Sequence, residues 1–267
     1  MNEITEKEFN DIRDYIKKNF GINLGPDKKS LIYSRLRSTL MEKGFTNFSQ
    51  YYEYLLGDND NAAMTNFINR ITTNHTFFMR EPTHFQYLKE VALPEIEQLF
   101  GHEKDLRLWC AGCSSGEEAY TLKMIAEEHF KGRGWNTEIL ATDISSDMLR
   151  RAVAGRYSAD VMDTMPREWL GAYFSRQGNE YVAKDSIKNG ITYRYLNLMN
   201  DFKFRKKFQI IFCRNVMIYF DIDTRLGLVD RFYEASEEGA YLFIGHSESL
   251  NNTKTKYKYI IPAVYRK

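Results

Sequence analysis

Leu108-Trp109-Cys110-Ala111-Gly112-Cys113-Ser114-Ser115-Gly116-Glu117-Glu118 is the stretch on which the fold turns. An apolar run leads into a loop of small residues, and a helical pattern starts at once. Small side chains let a backbone approach a ligand or a neighbouring element closely. Twenty-six residues beyond Glu117, the run Ile139-Leu140-Ala141-Thr142-Asp143 ends in an acid and reads as a second buried strand. A small-residue loop after one strand and a carboxylate at the tip of the next are the two halves of the nucleoside crevice in a doubly wound sheet. A carboxylate in that place accepts hydrogen bonds from ribose hydroxyls.

The loop departs from the dinucleotide fingerprint G-x-G-x-x-G, since only Gly112 and Gly116 frame Cys113-Ser114-Ser115. Glu117 and Glu118 then open the helix. They oppose a pyrophosphate, because a helix N-terminus attracts phosphate only where nothing local cancels its partial positive charge. A nucleoside without phosphates and with a positive charge suits the loop better. S-adenosylmethionine, with its sulfonium and α-ammonium, has that chemistry. The alternative is a structural strand-to-helix turn with no ligand, and Asp143 weighs against it.

A chain of 267 residues holds one large domain or two small ones, and 43% hydrophobic residues supply a sizeable core. Lys plus Arg number 37 and Asp plus Glu 36, a balance that argues against nucleic acid as a partner. The N-terminal MNEITEKEFN lacks the basic and apolar parts of a signal sequence, and no run reaches the roughly 18 apolar residues of a membrane span. These features predict a cytoplasmic protein without direct membrane insertion. Cys110-Ala-Gly-Cys113 is formally C-x-x-C, but the helix begins too late for a redox pair and no second pair completes a zinc site. Cys110, Cys113 and Cys213 read as small buried residues, and no metal is expected.

Residues 1–75 read as helical. Phe9, Ile12, Ile16 and Phe20 recur at three- and four-residue spacing, Gly21 and Gly25-Pro26 stop the helix, and Asp27 is a candidate cap for the next. That second helix runs to about Lys43-Gly44; a third covers Phe48–Leu56 with Asn47 or Ser49 as cap, and a fourth Ala62–Ile71. From about Leu106 strands alternate with helices: Leu106–Cys110, Ile139–Asp143, Tyr193–Leu196, Ile210–Cys213 and Tyr241–Gly245 are strand candidates, with Lys258–Val264 as one more whose Pro262 suggests an edge or an end. The connection from Asp143 to Tyr193 is too long for one crossover helix. Besides a helix from Ser146 to about Ala154, it holds two short apolar runs around Arg176–Glu180, a hairpin pattern. The chain therefore divides into a helical domain, residues 1–75, and an α/β domain, residues 76–267, with a small β-subdomain inserted at about 158–190. Residues 17–43 carry seven basic side chains against two acidic ones. Arg35 and Arg37 flank a strip bearing Ser34 and Ser38, where an acidic helix can lie close; an ordinary solvated face is the equal alternative.

Thr73-Asn74-His75-Thr76-Phe77-Phe78-Met79-Arg80-Glu81 and Ile211-Phe212-Cys213-Arg214-Asn215-Val216-Met217-Ile218-Tyr219-Phe220-Asp221 carry a family resemblance. Together with Ser115-Gly116-Glu117-Glu118, Ala141-Thr142-Asp143-Ile144 and Gly245-His246-Ser247-Glu248, they make the chain similar to the chemotaxis receptor methyltransferases, the CheR family, over nearly its whole length. The resemblance implies a Rossmann-like class I methyltransferase sheet with an N-terminal all-helical domain and an inserted small β-subdomain. It implies an S-adenosylmethionine-dependent protein-glutamate O-methyltransferase that acts on cytoplasmic chemoreceptor helices, releases S-adenosylhomocysteine and sets receptor adaptation. By that analogy Asn74, Thr76 and Arg80 reach the cofactor, Arg80 towards its carboxylate. Glu117 lies at the methionine end, Asp143 binds the ribose, and Asn197-Leu198 lie beside the adenine. Arg214 and Asn215 follow the fourth strand, with Tyr219 near the transferred methyl. Tyr219 and Arg80 form the catalytic pair in this reading. His246 suits a structural role. The short turn Arg176–Glu180 argues against a tether to a receptor-tail peptide.

A glutamate carboxylate, with a reference pKa of about 4.3, is already an anion at neutral pH, so attack on a sulfonium methyl needs no base. Two other functions compete: the same fold acting on a small-molecule carboxylate, and a non-enzymatic receptor adaptor. The basic helical face argues against the first, and intact Arg80, Asp143 and Tyr219 against the second. Receptor contact is expected through the Arg35 and Arg37 face and the inserted β-subdomain, by a monomer.

Overall fold

The computed structural model of the chain describes residues 3–57, 62–250 and 254–267. Its first part comprises α1 (Glu6–Phe20), α2 (Lys29–Glu42), α3 (Phe48–Leu56) and α4 (Ala62–Ile71). A capping box starts α1: the Thr5 hydroxyl accepts from the Glu8 amide at 3.2 Å and the Glu8 carboxylate accepts from the Thr5 amide at 2.9 Å. Gly21 ends it at φ 72°, where a Cβ would also lie 2.5 Å from Met199 Sδ, so glycine is required twice over. Phe9, Ile12, Ile16 and Phe20 are buried against Ile32, Leu36 and Leu40 of α2 and against Phe48, Tyr51 and Phe67. Asn47 caps α3 through its side-chain oxygen. Asp27 does not cap α2. Pro26 starts a 3-10 turn over Pro26–Lys28 ahead of the helix, and the Asp27 carboxylate, one residue before the cap position, pairs with Lys28 at 2.8 Å.

Residues from α5 (Pro82–Tyr87) to α6 (Leu93–Phe100) run as one helical path widened over Leu88–Ala92 into π geometry. Pro94 explains the widening. A proline ring clashes with the carbonyl four residues before it in a regular helix, and the wider turn relieves that clash.

The sheet is built from β1 (Asp105–Ala111), β2 (Asn136–Asp143), β6 (Ile191–Tyr195), β7 (Phe208–Cys213), β8 (Ser236–Ile244), β9 (Lys258–Ile261) and β10 (Val264–Arg266), after a second, smaller sheet of β3 (Arg156–Ser158), β4 (Phe174–Gln177) and β5 (Glu180–Ala183) is set aside. Helices α7 (Glu117–Phe130) and α8 (Ser146–Ala154) follow β1 and β2; α9 (Arg167–Tyr173) precedes β4, α10 (Asp185–Lys188) follows β5, and α11 (Ile222–Ala235) joins β7 to β8. The seven-stranded order is β6-β2-β1-β7-β8-β10-β9. Pairing is parallel from β6 to β8 and antiparallel for β10 with β8 and with β9. The tail thus makes two strands where the sequence suggested one. Pro262, which has no amide proton, and Ala263 at φ 64° reverse the chain between them, leaving β9 at the edge. The small sheet, order β3-β5-β4, is antiparallel, and Gly178 at φ 64° turns β4 into β5.

Alternation along each strand splits the core. Leu106, Leu108, Cys110, Ile210, Phe212 and Phe243 face α7 and the α5–α6 path. Trp109, Ala111, Ile211, Cys213, Leu242 and Ile244 face α11 and its Leu228, Val229 and Phe232. Trp109 sits edge-on to Phe232 and Phe202 and donates its indole N–H to the Thr142 hydroxyl at 2.9 Å.

The helical part is joined to the sheet at α11. Asp221 caps that helix by accepting from the Thr224 amide at 2.9 Å and pairs with Lys17 of α1 at 2.9 Å. Its hydrogen bonds with Thr224, aided by Lys17, hold its carboxyl down to about 2. A lowered carboxyl favours the folded state fully above its unfolded value of about 3.9, and that advantage fades as pH falls towards about 2. Asp221→Ala should cost about 0.5–2 kcal/mol at pH 7. Denaturant unfolding of both proteins at pH 7 and at pH 3 should show the gap between them narrowing at the lower pH.

Candidate active site

A cavity of about 470 Å³ opens at the C-terminal ends of β1, β2 and β7, where β1 has neighbours on both sides and the strand order reverses. That reversal is where open α/β sheets bind ligands. The opposite wall comes from the helical part: Phe20, Leu31, Arg35 and residues 71–76.

The loop after β1 shows why its residues are small. Gly112 has φ 87°, and a Cβ there would lie 2.4 Å from Val216 Cγ2; Gly116 has φ 98°, and a Cβ there would lie 2.8 Å from Ala152 Cβ. The loop is therefore clamped between the segment after β7 and α8. Gly112 and Cys113 both donate to the Thr142 carbonyl, at 2.8 and 2.9 Å. The Asp143 carboxylate accepts from the Ser114 and Ser145 amides, each at 2.8 Å. Burial pushes the Asp143 carboxyl up, and these amides act against the rise. Each oxygen has one more acceptor position, and Asp143 lines the cavity. Those positions fit two ribose hydroxyls.

Of the acids that open α7, Glu118 lines the cavity and Glu117 stands outside its wall. Glu117 is buried and accepts the Ser115 hydroxyl at 2.7 Å; burial raises its carboxyl above the usual carboxylate range. Glu118 accepts from Arg214 at 2.8 Å and from Cys110 Sγ at 3.2 Å. All three cysteines are free and buried, and burial pushes each thiol well up, which leaves them unreactive packing groups.

Asn74, Thr76 and Arg80 line the cavity from the segment between α4 and α5. The Asn74 carbonyl accepts the Ser114 hydroxyl at 3.0 Å, and its amide donates to Thr72 Oγ1 at 3.1 Å. Arg80 donates to the His75 carbonyl at 2.8 Å and stacks over Phe77 at 5.9 Å. Arg35 belongs to this wall too. Its guanidinium donates to the carbonyls of Ile71 and Thr72 and, at 3.0 Å, to Thr73 Oγ1. Three positions after buried Ile32, Arg35 is only about 60° from it around the helix, so a long side chain turns inward. Arg37 stays exposed beside Tyr33. The sequence reading set both arginines beside one outer strip, and the signal that separates them is the position of Arg35 next to the buried face of Ile32.

Asn197 and Leu198 line the cavity after β6. The Asn197 amide donates to the Asn19 carbonyl of α1 at 2.8 Å, and its oxygen accepts from Met199 at 3.0 Å. Arg214, with a side chain 1% exposed, bridges Glu118 at 2.8 Å and Glu81 at 3.1 Å and donates to the Arg80 carbonyl. Asn215, at φ 58°, donates its backbone amide to Glu248 at 3.0 Å. Glu248 also accepts from Gly245 at 2.6 Å and from Ile218 at 3.0 Å, which braces the turn presenting Tyr219. Tyr219 lines the cavity next to exposed Ile218, and its carbonyl accepts from Asn23 at 2.7 Å. Nine of the ten site residues chosen from the sequence thus line one cavity, with Glu117 behind its lining. Glu81 and Glu248, which help to hold that lining in place, were quoted within motifs but given no role, and Glu118 was read only as an acid opposing phosphate.

Comparison with known proteins agrees with this geometry. Residues 74–265 match the model described as CheR methyltransferase, SAM binding domain, and residues 7–72 match CheR methyltransferase, all-alpha domain. The chain belongs to the CheR methyltransferase family. CheR relatives include a chemotaxis protein methyltransferase of Borreliella burgdorferi, 41% identical over 99% of this chain and 95% of that protein. Another, chemotaxis protein methyltransferase 1 of Pseudomonas aeruginosa, is 32% identical over 95% of this chain and 94% of that protein. As a CheR methyltransferase the chain is an S-adenosylmethionine-dependent enzyme, and the cavity at the strand reversal has the size and donor set for that nucleoside. No helix among the described residues is long and apolar enough to cross a membrane.

Asp143→Ala should weaken binding of S-adenosylhomocysteine at least tenfold, since each hydrogen bond to a charged group contributes roughly 1.5–3 kcal/mol. Calorimetric titration checks this, with Asp143→Asn, which preserves volume, expected to lie between wild type and Asp143→Ala.

Proposed function

We propose that the chain methylates glutamate side chains on the cytoplasmic helices of chemoreceptors, acting as a cytoplasmic monomer, and so sets receptor adaptation. The observation that carries this reading is one wall in which Asp143, Arg80 and Tyr219 face the same nucleoside-sized cavity. S-adenosylmethionine supplies an electrophilic methyl: the glutamate oxygen–carbon bond forms as the sulfur–carbon bond breaks, with no proton to remove.

Asp143 holds the ribose through its remaining acceptor positions. Arg80 takes the carboxylate of the methionine end, and Glu118 presents the nearest acid to the ammonium, with Glu117 ordering Ser115 behind it. Asn197 and Leu198 frame the adenine, and Asn74, Thr76, Arg214 and Asn215 complete the contacts. Tyr219 orients the acceptor carboxylate. Opposite charges cancel during the transfer, so a hydroxyl serves better at the acceptor than a fixed cation. In-line placement contributes roughly 7–11 kcal/mol to such a reaction, and a rigid wall is what delivers it. In this scheme residues 1–75 form the receptor-facing helical domain, and 76–267 the methyltransferase domain with its insert at about 158–190.

Receptor selection falls to the exposed part of the basic helical face, Arg37 with Ser34 and Ser38, and to the inserted β-subdomain, while Arg35 serves the cavity wall. Arg37→Ala should raise the receptor KM by about 1.5- to 5-fold, the range of an exposed ion pair worth 0.2–1 kcal/mol, and reduce its salt dependence. Arg35→Ala should weaken S-adenosylhomocysteine binding, which Arg37→Ala leaves unchanged. Equal effects of the two variants on both measurements would remove the division.

Tyr219→Phe should lower turnover more than cofactor affinity, because the ring stays and the orienting hydroxyl is lost. The reading as a whole is tested by transfer of labelled methyl groups to receptor-bearing membranes, with base-labile release of methanol. Labelling that is stable to base, or absent from receptors, overturns it.

A further inference from the structure

Beside Arg214 and outside the cavity lining, three side chains of metal-ligating type converge. Glu81 precedes α5, His84 lies within it, and His246 follows β8. One ligand atom from each lies within 4.8 Å of the others, and they are the only such group of three among the described residues. None of the three lines the cavity. His84 is 1% exposed, and neither ring nitrogen has a hydrogen-bond partner. Its Nδ1 lies 3.4 Å from Glu81 Oε2 without a hydrogen bond, and its ring meets that of His246 at a centroid distance of 4.4 Å. Buried polar atoms are nearly always satisfied, so an imidazole with neither nitrogen paired requires an explanation, and a metal ion supplies a partner for one of the two. His246 is exposed, its Nε2 3.3 Å from the Thr83 hydroxyl.

We propose that Glu81, His84 and His246 form a zinc site in which the exposed side leaves a fourth position for water. Two imidazoles and one carboxylate are a donor set that zinc accepts, and the spacing allows the roughly 2.0–2.2 Å ligand distances of a tetrahedral ion after small side-chain rotations. Glu81 and Glu118 share the single guanidinium of Arg214, so those two acids together keep one uncompensated negative charge beside the site. Glu81 has two oxygens and shares them among Arg214, the Asn215 amide at 3.2 Å and the His246 backbone amide at 3.2 Å, which holds it in place as a ligand. Sequence spacing could not reveal the set, because His246 is far along the chain from the other two.

The site joins the start of α5 to the end of β8, both next to Arg214. Bound zinc therefore draws on the same Glu81 carboxylate that Arg214 uses.

The test is titration of the metal-stripped full chain with Zn²⁺ by calorimetry, and with Co²⁺ by absorption. One Zn²⁺ per chain and the visible bands of four-coordinate Co²⁺ are expected. His246→Ala should weaken Zn²⁺ at least tenfold and abolish the bands, with near-ultraviolet circular dichroism as the check on folding. His246→Asn, which keeps a polar side chain at the exposed position, is the second variant and should lose the bands as well. Absence of Zn²⁺ binding to the wild-type chain, or equal binding by a folded His246 variant, overturns the proposal.

Discussion

Everything around the cavity depends on one buried guanidinium. Arg214 leaves the end of β7 and is held by Glu118 at the start of α7, by Glu81 before α5, and by the Arg80 carbonyl. Phe85 lies under it at 5.2 Å. Three chain segments far apart in sequence are thereby locked to one another. Such a contact adds little net stability beyond what apolar packing would give, but breaking it by removing one partner costs about 3–5 kcal/mol, because it strands a buried charge. What it provides is position: Arg80, Glu118 and Asn215 can occupy only one arrangement.

The same constraint shows in the backbone. Met79, Glu81, Ser114 and Asn215 all take φ between 48° and 59°, and all lie in or next to the cavity wall. Non-glycine residues in that region cost of order 1–3 kcal/mol each and persist where surroundings over-determine them. Here the surroundings are identifiable. Ser114 is held by Asp143, Asn215 by Glu248, and Glu81 by Arg214. The wall is preorganised by strain that these carboxylates and the guanidinium sustain.

Much of this was legible in the sequence, and the reasons for the rest are physical. The helices α1 to α4 follow the spacing of Phe9, Ile12, Ile16 and their counterparts, since one buried stripe is all that such helices need. The strands β1, β2 and β7 announce themselves as apolar runs that end at small or polar residues, because both faces are covered. β8 begins at Ser236, earlier than its apolar run, since the polar Ser236-Glu237-Glu238-Gly239 hides the register shift with which it joins β7. β3 is three residues long and too short for a periodic signal. Nine residues of the cavity lining were chosen from motifs, while the pairings that Glu81, Glu118, Glu248 and Arg35 make across the chain are encoded by no local pattern.

The stitches between the helical part and the sheet also shape how the molecule comes to exist. Asn197 reaches Asn19 across a separation of 178 residues, Asn23 donates to the Tyr219 carbonyl, Ile22 bridges Phe220, and Lys17 pairs with Asp221. A vectorially synthesised chain finishes α1 early but cannot seat its C-terminal end until residues 197–221 have left the ribosome. Contacts so distant in sequence slow folding, because loop closure precedes the gain from the contact. The nascent helical region therefore waits with the end of α1 uncovered, and the cavity forms only after the segment that follows β7 has emerged.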